Sequence, residues 1–264
     1  MSTISVNGID LFYEVQGRGE PLLLIAGFSC DSYYWSAVRR WLVKRYQVIW
    51  FDNRGIGRSS APNNPYTISQ MAADAAALLE YLEIDKVHIA GHSMGGQIAQ
   101  ELALAHSEKV LSLLLLSSWA KGDEMFHAIV KTFGDLPQTL KPQQYLQVIL
   151  PWMFTAEFYA NPEAVEQIIQ FAVEYPFPPT ANGLYHQSRA ILGSNTSERL
   201  AEIDCPTMVL VGKQDILTPM KFAKQLVQGL PKAELVILES GGHGCVVESA
   251  EAVAQAMLTF LSKM

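Results

Sequence analysis

The chain has 264 residues, 49% of them apolar, enough to bury one large core or a core carrying an insertion, with no need for two independent domains. Its net charge of −7 comes without any basic cluster, which argues against nucleic acid or an anionic membrane as partner. The N-terminus lacks a basic region followed by an apolar one, and no apolar run is long enough to span a bilayer, so a cytoplasmic protein that does not engage membranes is expected.

Ile4-Ser5-Val6 and Leu11-Phe12-Tyr13 flank Asn7-Gly8, a dipeptide that tolerates the positive φ angles of a tight turn, so two antiparallel strands open the chain. Residues 22–26 form a continuous apolar run of the kind found in a strand covered on both faces, ending at a Gly27-Phe28 loop. Trp35, Val38, Trp41 and Leu42 share a helical face, and residues 46–51 are the next strand. The turn at residues 52–59 carries Gly55 and Gly57 but no third glycine, and Pro62 and Pro65 follow instead of a helix, so a dinucleotide is not the expected ligand. Thr67-Ile68-Ser69-Gln70 has capping-box spacing, and Met71, Ala75, Leu78, Leu79 and Leu82 continue one apolar stripe, predicting a helix of about four turns.

Residues 87–90 lead into Gly91-His92-Ser93-Met94-Gly95, and Ile98, Leu102 and Ala105 follow at helical spacing, which reads as strand, sharp turn, helix. Residues 110–116 make a further buried strand. The alternation then stops: residues 119–198 hold helical stretches, many prolines and a run of aromatics, and are read as a helical cap inserted into a core of residues 1–118 and 199–264. Some of those aromatics must pack on the core, and Trp119, Trp152, Phe154 and Phe158 are the candidate contacts for an apolar or aromatic small-molecule substrate. Strands at residues 208–212 and 235–238 resume the pattern, separated by a helix with Phe222, Leu226 and Leu230. Val253, Met257, Phe260 and Leu261 close it. The alternation predicts an α/β fold, a mostly parallel sheet wrapped by helices, with ligands at the carboxyl ends of the strands.

Serine is a poor nucleophile unless a base lies within hydrogen-bond reach and a third group orients that base. Ser93 sits in a turn whose glycines lift its hydroxyl clear of the sheet, at the positive end of the helix that follows. His243, on a glycine-rich loop after a strand, is the candidate base, and Asp215, three residues past Gly212, is the candidate orienting acid. Asp123 stays open as a substitute acid, whereas Asp52, Asp204 and Glu239 are poorly placed. His88, His92, His106, His127 and His186 are read as structural or surface residues. An oxyanion needs donors already in place, and the backbone N–H groups of Met94 and Phe28 are the candidates. Cys30, Cys205 and Cys245 cannot all pair and none has metal-ligand spacing, so they are read as reduced core residues and no metal is expected.

With these residues the chain resembles the α/β-hydrolase superfamily over nearly its whole length, and is most similar to its capped esterase and 3-oxoadipate enol-lactonase-like branch. The resemblance rests on Gly27-Phe28, Asp52-x-Arg54-Gly55-x-Gly57-x-Ser59, Gly91-His92-Ser93-Met94-Gly95-Gly96, Cys205-Pro206-Thr207 leading to Gly212-x-x-Asp215-x-x-Thr218-Pro219, and Gly242-His243 followed by Glu248. It implies Ser93 as nucleophile, His243 as base, Asp215 as its acid, and no metal or organic cofactor; the order Ser…Asp…His is that of the superfamily. Ala26 departs from the pattern, since many relatives have histidine before the loop glycine. Serine at position 93 separates the chain from dehalogenase and epoxide-hydrolase relatives, which use aspartate there.

The expected activity is that of a serine hydrolase cleaving an ester, lactone or thioester through an acyl-enzyme. A ligand-binding signalling protein with slow turnover and a carbon–carbon bond hydrolase are the alternatives on the same scaffold. A dicarboxylate-like lactone would need a cation from among Lys121, Lys131, Lys141 and Arg189.

Overall fold

A computed structural model of the chain, describing residues 2–264, contains one eight-stranded sheet. β1 (Ser2–Val6) and β2 (Ile9–Gln16) form an antiparallel hairpin that turns at Asn7 and Gly8, with φ of 49° and 78°. β3 (Pro21–Ile25), β4 (Gln47–Phe51), β5 (Val87–His92), β6 (Val110–Leu116), β7 (Thr207–Gly212) and β8 (Ala233–Leu238) follow. The spatial order is β1-β2-β4-β3-β5-β6-β7-β8; β4 lies antiparallel to β2, and every later pairing is parallel. The mostly parallel, helix-flanked sheet is the α/β fold that the sequence predicts.

Successive side chains of a strand face opposite sides of a sheet, so each continuous apolar run feeds two cores at once. Leu22, Leu24, Leu114 and Leu116 share one core with Val38 and Leu42 of α1 (Ser36–Leu42) and Val253 and Met257 of α10 (Ala250–Leu261). Leu23, Ile25, Leu113 and Leu115 share the other with Leu78 of α2 (Ile68–Tyr81), Ile98 of α3 (Met94–Ala105) and Leu226 of α9 (Met220–Gly229). The Thr67 hydroxyl caps α2 by accepting the Gln70 N–H at 3.0 Å. The turn after β4 is a structural clasp. Asp52 accepts the N–H groups of Ser32 and Arg58 at 2.9 Å each, and Arg54 makes a bidentate ion pair with buried Asp74 at 2.6 and 2.7 Å.

Between β6 and β7 lie α4 (Glu124–Asp135), α5 (Pro142–Met153), α6 (Ala156–Tyr159), α7 (Pro162–Glu174) and α8 (Ala181–Leu192). The chain leaves and re-enters the sheet layer side by side, at an isolated bridge between Lys121 and Asn195. Phe171 of α7 stacks on Tyr33, with ring centroids 5.0 Å apart, and the Tyr175 hydroxyl donates to Asp31, so this part of the aromatic run packs on a loop of the sheet layer. Among the described residues no helix is long and apolar enough to cross a membrane.

Candidate active site

β5 ends at His92, and α3 begins at Met94; the single residue between them has φ 55° and ψ −120°, a conformation that side-chain-bearing residues avoid. The flanking glycines are sterically required. A Cβ on Gly91 would stand 2.2 Å from the Gly95 carbonyl oxygen, and one on Gly95 would stand 2.1 Å from the Ile25 carbonyl oxygen of β3. The turn is pinned from β6 and just beyond it: Ser93 N–H donates to the Leu116 carbonyl at 2.9 Å, and the Ser118 hydroxyl donates to the Ser93 carbonyl at 3.0 Å. The unpaired N–H groups and positive dipole end of α3 therefore open at Ser93.

The loops after β7 and β8 deliver the other two groups to the same rim. His243 Nε2 stands 3.0 Å from Ser93 Oγ, and His243 Nδ1 stands 3.1 Å from Asp215 Oδ2. Ser93, Asp215 and His243 are exposed by only 7%, 4% and 2%. Asp215 Oδ1 accepts the N–H groups of Leu217 and Thr218 at 3.0 and 2.7 Å, and Oδ2 accepts the Thr218 hydroxyl at 2.7 Å. Burial works to raise the Asp215 pKa, but the His243 charge and the bonds from His243 and Thr218 outweigh it and hold the carboxyl below its ordinary range. An ionised carboxylate only accepts, so His243 Nδ1 carries the hydrogen and Nε2 turns its lone pair to the Ser93 hydroxyl. Asp123, the alternative acid, is occupied elsewhere: it caps α4 by accepting the Phe126 N–H at 2.9 Å and pairs with Lys221.

The loop after β3 passes directly beside the serine, since a Cβ on Gly27 would lie 3.0 Å from Ser93 Cβ. The Ala26 carbonyl at the start of this loop is held by the Asn53 side-chain amide at 3.1 Å. Among the described residues, neither the Phe28 N–H nor the Met94 N–H is taken by a protein acceptor. Phe28 follows Gly27 in this loop, and Met94 opens the first turn of α3.

One histidine read from the sequence as structural stands at the centre. His92 Nε2 lies 2.8 Å from the His243 carbonyl and 3.2 Å from the Tyr34 hydroxyl. A carbonyl only accepts, so Nε2 carries the hydrogen, and the imidazole ties the end of β5 to the backbone of His243. Burial, then the His243 charge, pushes the His92 pKa down to about 3, which keeps the ring neutral.

A cavity of about 50 Å³ opens onto Ser93 and His243, walled by Phe28, Trp119, Phe126, Val130, Phe133, Ile149, Met153, Ile191 and Leu217. Of the candidate substrate contacts, Trp119 lines the cavity, while Trp152, Phe154 and Phe158 stand outside its lining. Trp152 packs edge-to-face with Phe133, and Phe154 and Phe158, past the end of α5, stack on each other at 4.4 Å. No Lys, Arg, Asp or Glu among the described residues lines the cavity. Lys131 and Arg189 are both spent on Asp135, and Lys121 and Lys141 are exposed. Cys30 contributes to the wall, its thiol pushed up to about 12 by burial and then by neighbouring Asp31. Among the described residues no three His, Cys, Asp or Glu side chains are grouped to hold a metal ion.

Comparison with known proteins agrees with this architecture. A putative carbamate hydrolase RutD of Azorhizobium caulinodans is 30% identical over 257 residues, covering 97% of this chain and 96% of the relative. Among solved structures, a thermophilic esterase from Thermogutta terrifontis is 28% identical with a TM-score of 0.87, over 99% of this chain and 96% of its own. The enol-lactonase from Burkholderia xenovorans is 25% identical with a TM-score of 0.89, over 99% of this chain and 100% of its own. The model of the alpha/beta hydrolase fold matches residues 20–250. By that match and these relatives, the chain belongs to the alpha/beta hydrolase fold family and is a hydrolase acting on a small molecule.

Proposed function

We propose that the protein is a serine hydrolase that opens a carboxylic ester, lactone or thioester through an acyl-enzyme. Ser93 Oγ attacks the carbonyl carbon while its proton passes to His243 Nε2, and Asp215 fixes the imidazole tautomer and balances the imidazolium that forms. The carbonyl oxygen, now negative, receives the N–H groups of Phe28 and Met94; one such donor is worth about 3 kcal/mol of transition-state stabilisation. His243 then hands the proton to the leaving group, and a water activated by the same Nε2 releases the acid. Residues 119–198 act as the cap, supplying Trp119 and most of the apolar wall.

The observation that carries this reading is the unbroken series from Ser93 Oγ through the His243 ring to Asp215, at 3.0 and 3.1 Å. The uncharged wall supports a small apolar acyl group, because a substrate carboxylate there would be a buried charge without a partner, a cost of several kcal/mol. Ser93→Ala tests the reading: turnover of a small aryl ester is expected to fall by a factor on the order of 10⁶ while circular dichroism and thermal midpoint hold. Turnover undiminished in that variant would remove Ser93 from the chemistry. A carbamate is the second substrate class, favoured by the relatives described as putative carbamate hydrolases, since its carbonyl offers Ser93 the same kind of acyl carbon. Faster cleavage of a carbamate than of the matching ester would select it.

A further inference from the structure

The loop that carries His243 reads Gly241-Gly242-His243-Gly244, and it has few side chains of its own with which to hold a fixed shape. Its glycines have a packing reason in the cap. A Cβ on Gly242 would stand 2.8 Å from the Met153 carbonyl oxygen, and one on Gly244 would stand 2.8 Å from Phe154 Cε1. The end of α5 is therefore pressed against both peptides that flank the imidazole.

Two hydrogen-bonded routes run through that contact. On one side Gly244 N–H donates directly to the Met153 carbonyl at 2.7 Å. On the other, Gly242 N–H donates to Glu248 Oε2 at 3.0 Å, while Glu248 Oε1 accepts the hydroxyl of Thr155 and, at 3.4 Å, its backbone N–H. Thr155 is itself buried and caps α6, accepting the Phe158 N–H at 3.2 Å. Residues 153–155 of the cap are thus fastened to the chain before and after His243, and the Met153 side chain lines the cavity. A substrate that bears on Met153 bears on the segment that holds the imidazole.

Resting on the serine-hydrolase reading, we propose that Glu248 and Thr155 are positioning residues that couple the cap to His243. Their shared bond sets where the imidazole sits relative to Ser93, so the base is fully placed only when the cap is. Without it the glycine loop keeps its covalent path but loses one of its two ties to the cap, and Nε2 drifts from Ser93 Oγ.

Thr155→Val, Glu248→Ala, the double variant and Glu248→Gln test this on the intact chain, with kcat and KM for aryl esters normalised to titrated active sites. Each of the first two is expected to lower kcat about tenfold, within the ~10²-fold that a displacement of about 1 Å can cost, with KM nearly unchanged. The double variant should be no worse than Glu248→Ala alone, because the Thr155 hydroxyl bond is already gone there. Glu248→Gln should retain most activity, its carbonyl oxygen facing Gly242 N–H and its amide reaching the Thr155 hydroxyl. A merely structural role would instead lower the titrated fraction and the thermal midpoint and leave kcat per site alone. Per-site kcat unchanged in both Thr155→Val and Glu248→Ala, or losses that multiply in the double variant, would overturn the proposal. The His243 Nδ1–H resonance in ¹⁵N-histidine-labelled protein gives a readout that does not need turnover, and it should exchange faster with water in Thr155→Val than in the unaltered chain. If the unaltered chain cleaves no ester and Ser93 takes no fluorophosphonate, the hydrolase reading fails by itself, and that resonance still decides whether Thr155 and Glu248 hold the ring.

Discussion

Lowering the pH from about 7.5 to about 5 removes stability through His92, by an amount that follows from its burial. The ring is 3% exposed, and burial followed by the His243 charge pushes its pKa from 6.5 down to about 3. Between those values the unfolded chain binds a proton that the native chain refuses, so stability is intact above about 6.5 and declines as the pH falls toward about 3. At about pH 5, roughly one and a half units below the unfolded value, the linkage removes about 2 kcal/mol. His92→Gln keeps a side-chain N–H for the His243 carbonyl and does not titrate. His88 and His186, also lowered by burial, remain in both proteins and cancel in the comparison. Urea unfolding of both proteins at the two pH values is the assay, and the variant should lose about 2 kcal/mol less than the unaltered chain over the interval. Equal losses in the two proteins would show that His92 is protonated in the native state, and the burial argument would be wrong.

Asp74→Ala leaves the Arg54 guanidinium, 2% exposed, without its bidentate partner, and should cost about 3–5 kcal/mol, read from the shift in urea midpoint. Gly212→Ala places a Cβ 2.2 Å from the Gly241 carbonyl oxygen and displaces the His243 loop; a stability loss of about 1–3 kcal/mol with a fall in kcat is expected from unfolding curves and steady-state kinetics. Ile149→Ala enlarges the cavity wall at a cost of about 2–5 kcal/mol, and should move ester preference toward a longer acyl chain by roughly tenfold for each methylene accommodated. An unchanged chain-length profile in that variant would place the acyl group elsewhere.

The strands were legible because central parallel strands are buried on both faces, which leaves unbroken apolar runs at residues 22–26 and 113–116. Their spatial order was not written in any local pattern: β3 lies between β4 and β5, a consequence of crossovers that only the packed helices decide. Ser93 could be found because the turn around it tolerates only glycine at fixed offsets, and Asp215 and His243 because each follows a strand at the same edge of the sheet. His92 was read as a structural or surface residue without its partners, since Tyr34 and His243 are 58 and 151 residues away and the variable position before the serine has no period to betray them. The cavity wall was partly legible. Phe126, Val130 and Phe133 make a stripe at i, i+4, i+7, and Ile149 and Met153 repeat at i, i+4, whereas the aromatics singled out at 154 and 158 lie beyond the helix that faces the cavity.

The unfavourable φ of 55° at Ser93 means that backbone strain sits at the residue on which the molecule's proposed chemistry depends. A conformation of this kind costs about 1–3 kcal/mol, and glycine, which lacks the clashing side chain, would recover part of it. Breeding this chain for heat resistance alone would therefore favour glycine at 93 and yield a sturdier, inert protein. Only a screen that also demands turnover would keep the hydroxyl and its cost together.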